Sequence, residues 1–237
     1  MPTLPTTLAF LLIVLVVIRV WIRGFRRLSL RHAQLAAAAL LAILLLTAAL
    51  AHQGLLHAEG PFPPPMLRLV LAGVLAVIGL VLSPVGLRLA RTMPLAGLIG
   101  LQVFRLPLEF VLWQLYREGA LPVQMTFEGR NFDVLSGLLA LPLAIAIHRS
   151  QQKVPNALIW AWNLLGLALL FNIVQIAVRS MPGPLRTFQN EPTNTLVFTV
   201  PWVWLPMILV LSALLGHLLV ARRLLAEPRR ESVDSPG

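Results

Sequence analysis

The chain contains no cysteine, which excludes disulfides, iron–sulfur clusters and thiolate chemistry. Lysine is almost as scarce. Lys153 is the only one and falls between two apolar segments, so the intramembrane Schiff-base lysine of a retinal protein is missing. Aspartate occurs only at Asp133 and Asp234, which denies the chain the two membrane aspartates of an aspartyl intramembrane protease. There is no HExxH, no P-loop and no G-x-S-x-G elbow. Charged residues are only 12% of the chain, against about 25% in soluble domains.

What is present is apolar. Hydrophobic residues make up 58% of the 237 positions, and mean hydropathy is +0.83. Apolar runs recur that are long enough to cross a hydrocarbon core of roughly 30 Å as helices. Without water in that core the backbone must satisfy itself within each segment, which favours helices over open sheet. The expected fold is all-α, a polytopic transmembrane helical bundle.

Seven spans can be read: Thr6–Ile22, Ala33–Ala51, Met66–Leu82, Pro94–Tyr116, Phe132–Ile147, Ala157–Val178 and Leu196–Val220. Basic residues cluster after the first, third, fifth and seventh. Arg23, Arg26, Arg27 and Arg31 follow the first, Arg88 and Arg91 the third, and Arg149 and Lys153 the fifth. Arg222, Arg223, Arg229 and Arg230 follow the last. An odd number of spans places all four clusters on one side. The positive-inside rule then puts the N-terminus outside and the C-terminus in the cytoplasm. The expected location is a bacterial inner (cytoplasmic) membrane.

The net charge of +10 is explained by this loop asymmetry and by anionic lipid head groups, so membrane lipids are the expected partners and nucleic acid is not. The first apolar run lacks a preceding basic region and reads as an uncleaved anchor. The expected organisation is a seven-span domain over 1–221 and a basic, disordered cytoplasmic tail over 222–237. No internal repeat is visible, which argues against an inverted-repeat transporter.

The fourth span carries the polar residues that need an explanation. Gln102, Arg105 and Glu109 stand at i, i+3 and i+7 and share one helix face, which Trp113 continues. An Arg at mid-bilayer costs roughly 2.5–3.5 kcal/mol on insertion scales, so such residues face a bundle interior or a wet cavity. Pro107 lies between the two charges, removes a backbone donor and frees the carbonyl of Val103. Two readings stay open. One is a self-neutralising Arg105–Glu109 bridge along the helix, in the less favourable order for an i,i+4 pair. The other is a functional site.

Asn172, Gln175 and Arg179 form a similar stripe on the sixth span, at the depth of Glu109 or nearer the outside. They read either as interhelical hydrogen bonds or as the second wall of a shared pocket open to the outside. The loop REGALPVQMTFEGRNFD supplies Glu128, Arg130 and Asp133. These read either as a lid meeting a ligand or Arg105, or as turn and cap residues, with Asn131 and Asp133 as N-caps for the fifth span and Gly129 in a tight turn. Asn163 lies in the cytoplasmic half of the sixth span. Its neighbours Trp160 and Trp162, like Trp202 and Trp204 on the seventh, read as interfacial belt residues.

The histidines give no cofactor or metal expectation. His148 and His217 lie at similar depth and can in principle bracket a haem, but histidines at helix ends are more often interfacial or hydrogen-bonded. His52, His57 and Glu59 form a loose outer group.

FRLPLEF followed by MTFEGRNFD, NLLGLALLFNIV, a Pro-Trp entry to the last span and a closing HLL resemble a group of bacterial multi-pass membrane proteins without assigned activity. The resemblance covers about Leu101–Leu219 and implies no catalytic residue. The leading functional expectation is binding or translocation of a small polar, anionic or lipid-like molecule. Arg105 would hold the anionic group, Glu109 would position Arg105 or exchange a proton, and Asn172 and Gln175 would add hydrogen bonds. Alternatives are an integral-membrane enzyme on a lipid-linked or envelope substrate, with Glu109 as a general base, and a non-catalytic assembly or sensory subunit docking a protein partner.

Overall fold

The computed structural model describes residues 2–57, 62–149 and 154–226. It is helical throughout, with no strand among the described residues. In chain order the helices are α1 (Leu4–Arg26), α2 (Leu30–His52), α3 (Pro65–Leu82), α4 (Pro84–Thr92), α5 (Leu95–Leu101), α6 (Arg105–Arg117), α7 (Val134–Arg149), α8 (Asn156–Ser180) and α9 (Leu211–Ala226). A single 3₁₀ turn, Gln102–Phe104, joins α5 to α6, and a π-helical stretch, Leu205–Val210, leads into α9.

Six helical segments are long and apolar enough to cross a membrane: Leu4–Arg26, Leu30–His52, Pro65–Leu82, Leu95–Arg117, Asn156–Ser180 and Leu205–Ala226. α7 is apolar but shorter, at 16 residues, and spans about 24 Å at 1.5 Å per residue. It packs one face on α5, α6 and α8 and leaves the other, with Leu138, Leu141 and Ile145, exposed.

Local chemistry sets the boundaries. Proline opens α3 and α4 and lies in the first turn of α1, where its missing N–H and fixed φ cost nothing. Ser29 caps α2 by accepting from the His32 N–H at 3.2 Å, and Ser83 caps α4 by accepting from the Gly86 N–H at 3.2 Å.

Three differences from the sequence reading have physical causes. First, the basic stretch after α3 is a short amphipathic helix, α4, where a loop was expected. Leu89 and Ala90 are buried while Arg88 and Arg91 face outward. Second, the break expected from Pro107 takes the form of a tighter turn: Pro107 cannot donate to Val103, and the winding becomes 3₁₀ over Gln102–Phe104 within the segment Leu95–Arg117. Third, the last span begins at Leu205, not Leu196. Pro201 and Pro206 break the donor ladder, and only one 3₁₀ turn, Leu196–Phe198, precedes it. α9 continues through Arg222 and Arg223 to Ala226, and the rest of the expected tail, 227–237, lies outside the described residues.

The bundle has two distinct ends. At the basic end, Arg222 donates to the carbonyls of Ser83 (2.7 Å) and Leu82 (3.2 Å), and Arg223 to that of Met93 (2.7 Å). Met93 in turn lies over Gly24 of α1 closely enough to fill the place of a Cβ. The C-terminal ends of α1, α3, α4 and α9 therefore meet. At the opposite, loop end, Glu118 accepts from the Thr3 N–H (2.9 Å) and from the hydroxyls of Thr3 (2.7 Å) and Thr6 (2.6 Å), pinning the start of α1 to the end of α6. Partial burial pushes the Glu118 carboxyl up, but the Thr6 hydroxyl, the Thr3 amide and hydroxyl and the Gln114 amide outweigh it and hold the carboxyl at about 2.

Candidate functional site

Gln102, Arg105 and Glu109 are all buried, at 0%, 1% and 1% exposure, so the shared face points inward as its spacing requires. Their partners differ from those expected. The Arg105 guanidinium pairs with Asp133, Nε to Oδ2 at 3.2 Å. Its Nη1 donates to the Ser136 hydroxyl at 2.5 Å, to the Gly166 carbonyl at 3.5 Å and to His217 Nε2 at 3.4 Å. Four elements converge on one cation: α6, the loop and first turn of α7, α8 and α9. The intrahelical Arg105–Glu109 bridge is replaced by this cross-helix pair.

Behind Arg105 the His217 ring bonds through Nδ1 to Asn163 Oδ1 at 2.9 Å and lies against Trp162, ring centroids 5.0 Å apart. The tautomer protonated at Nδ1 satisfies both contacts, since Nε2 is then free to accept from Arg105. Trp162 also donates to the Ser136 carbonyl at 3.2 Å. The absence of a side chain at Gly166 makes room, because a Cβ there would collide with the His217 ring.

Glu109 is reached from the loop. Asn131 Nδ2 lies 2.8 Å and 2.7 Å from its two carboxylate oxygens and 3.1 Å from the Met125 carbonyl. The Asn131 Oδ1 accepts from the Asp133 N–H at 3.0 Å. Asp133 therefore spends its side chain on Arg105 instead of capping α7, while Asn131 both holds Glu109 and accepts a backbone N–H at the entry to α7. The result is a continuous chain of contacts, Asn163–His217–Arg105–Asp133–Asn131–Glu109.

Several atoms of this centre have no partner: Arg105 Nη2, Asp133 Oδ1, Asn163 Nδ2 and Gln102 Oε1. Gln102 stands apart from the chain, its Nε2 donating to the Ala213 carbonyl of α9 at 3.0 Å. A buried polar atom left unpaired costs about 1–3 kcal/mol, and native interiors keep such atoms few.

The other residues of the sequence reading lie elsewhere. Asn172 donates to the Arg130 carbonyl at 2.9 Å and Gln175 to Asn172 Oδ1 at 3.4 Å, both on the flank of α8 and away from Arg105. The Arg130 guanidinium is exposed over the Phe188 ring, 5.4 Å from its centroid. Glu128 is exposed and accepts from the Trp113 indole at 2.7 Å. The two polar stripes therefore do not wall one pocket. Asn163 and the Gly166 carbonyl face Arg105, whereas Asn172, nine residues or two and a half turns further on, points to the opposite side and meets the loop with Gln175.

Sequence reasoning missed Ser136, Asn163, Trp162 and His217 as neighbours of Arg105. Trp162 and Trp202 are buried, at 4% and 3% exposure, and Trp202 packs on Phe10 at 4.6 Å between ring centroids; neither is an interfacial belt residue. The spacing of Asn163 and Gly166, three apart on one helix face, was the available signal for a close polar approach. His148, by contrast, is exposed at the end of α7, and no group of three or more metal-ligating side chains occurs among the described residues.

No curated protein and no solved structure matches the chain. Residues 64–225, which hold α3 and all but the last residue of α9, match the family described as Domain of unknown function (DUF8737). The match takes in every element of the Arg105 centre and leaves only the α1–α2 hairpin outside, and on this evidence the chain belongs to that family.

Proposed function

We propose that the protein is a seven-span protein of a bacterial inner membrane that binds, or passes across, a small polar or amphiphilic molecule at the Arg105 centre. The gathering of Arg23, Arg26, Arg88, Arg91, Arg222 and Arg223 at one end of the bundle supports a cytoplasmic location for that end. The N-terminus, pinned to Glu118 at the other end, then lies outside.

One observation carries the site. A fully buried ion pair has an unpaired donor on one member, Arg105 Nη2, and an unpaired acceptor on the other, Asp133 Oδ1. A guest that offers an acceptor to the first and a donor to the second satisfies both atoms at once. Asp133 already neutralises Arg105, so the fitting group is a hydroxyl, an amide or a water molecule more readily than a free anion.

The test is native mass spectrometry of the detergent-purified protein beside Asp133→Asn and Arg105→Ala, with Glu118→Gln, at the far end of α6, as the control. A polar adduct is expected on the wild type and on Glu118→Gln, and its loss is expected from the other two. If Asp133→Asn and Arg105→Ala stay folded and keep the wild-type adducts, the site assignment is wrong.

A further inference from the structure

α2 packs along α1, whereas α3 packs on α9 and α4. Between α2 and α3 lies a lateral cavity of about 430 Å³, floored by Met207, Ile208, Leu211 and Ser212 and bounded toward the basic end by Trp21 and Phe25. Its width comes from small side chains, Ala36 and Ala39 on α2 and Ala72 and Ala76 on α3. Trp21 is only 3% exposed, and its indole Nε1 has no hydrogen-bond partner. Buried indole N–H groups ordinarily find an acceptor. This one has none, and the ring that carries it lines an apolar cavity.

The mouth of the cavity at that end lies beside the turn from α1 to α2, where Arg23, Arg26, Arg27 and Arg31 are all exposed. Trp21 stands five positions before Arg26, about 7.5 Å deeper at the helical rise. That is the order of groups in an anionic glycerophospholipid: a charged head, then an ester carbonyl, then an acyl chain.

We propose that this cavity is a lipid site. One acyl chain of an anionic glycerophospholipid lies between α2 and α3, its ester carbonyl accepts from Trp21 Nε1–H, and its head group sits among the arginines of the α1–α2 turn. The inference rests on the reading of the chain as a membrane protein with its basic end at the head groups. It does not depend on a guest at Arg105. The α1–α2 hairpin, outside the family match, supplies the indole donor and one wall, and α3 and α9, inside it, supply the other wall and the floor.

The experiment uses the full-length protein in vesicles of phosphatidylethanolamine and phosphatidylglycerol doped with a phosphatidylglycerol that carries a mid-chain diazirine. After irradiation the labelled residues are mapped by mass spectrometry. Labelling is expected to saturate on Ala36–Ile43 and Leu69–Leu80, several-fold above the exposed apolar residues Leu8 and Leu15 of α1, and to fall to their level in Ala76→Leu. In Trp21→Phe, which keeps the ring and loses the donor, the unlabelled phosphatidylglycerol needed to displace the probe should rise roughly fivefold, the loss of one hydrogen bond. Should Ala76→Leu not fold, the displacement curve of Trp21→Phe decides alone. Labelling equal to that at Leu8 and Leu15, an unshifted curve for Trp21→Phe, or a second copy or another protein cross-linked across α2 and α3 would each overturn the lipid site. Asp133→Asn should leave the labelling unchanged, so failure here and failure at the Arg105 centre are separable.

Discussion

Arg105 is bonded to Asp133, at the entry to α7, and not to Glu109, one turn along its own helix. The partner choice ties α6 to the start of α7 and leaves Glu109 to Asn131. It makes the ion pair a tertiary contact, so its removal reports on the packing of the bundle.

Breaking a buried pair from one side is more damaging than removing both members, because it strands a charge. Arg105→Ala and Asp133→Asn are each expected to cost about 3–5 kcal/mol. The double replacement Arg105→Met with Asp133→Leu should recover more than half of that. Thermal unfolding in detergent checks it, and additive losses in the double variant would show that the pair is not coupled.

Asn131 is expected to matter more than its place in a loop suggests. Asn131→Ala removes the donor to Glu109 and the acceptor of the Asp133 N–H together. The hydrogen bond to Glu109 alone is worth about 0.5–1.5 kcal/mol. Glu109→Gln combined with Asn131→Ala should cost less than the sum of the two single variants. A full sum would mean that the two side chains act independently.

Gly166 holds room for the His217 ring. Gly166→Ala is expected to destabilise by about 1–3 kcal/mol through overpacking, and to become nearly neutral in a His217→Ala background. The measurement is a melting-temperature cycle over the four proteins; equal losses in both backgrounds would place the cost in the helix itself.

The Glu118 latch gives a pH dependence. Its carboxyl is held at about 2, below its usual value of 4.5. A group depressed in the folded state contributes stability that is present above the unfolded value and lost as pH falls toward the folded one. The N-terminal turn of α1 should therefore loosen from α6 as the pH drops from about 4.5 to about 2. Comparing the melting temperatures of the wild type and Glu118→Gln over that range checks it; the wild type should show the steeper slope, since Glu191, also held low by Arg186, contributes to both proteins.

Much of the fold was legible. Apolar runs of span length identified the long helices, and the inward face of Gln102, Arg105 and Glu109 followed from their spacing. The partners of that face were not legible. Ser136, Asn163 and His217 sit in three different helices, and a single sequence carries no signal for which distant polar residues meet. Asn163 looked like an interfacial neighbour of two tryptophans, and His217 like a helix-end histidine. α4 was hidden for a different reason: a nine-residue amphipathic helix is too short to stand out from a basic loop by periodicity.

The clasp made by Arg222 and Arg223 bears on how the protein is made. Those two side chains close the basic end by seizing carbonyls of Leu82, Ser83 and Met93, and both belong to α9, which is synthesised after the helices it clasps. His217, the imidazole partner of Arg105, belongs to it too. Biogenesis must therefore hold the earlier helices in place with the central cation one partner short until α9 arrives. A chain stopped after Val200 should insert its preceding helices yet leave α4 unclasped, open to trypsin at Arg88 and Arg91, where the complete protein resists.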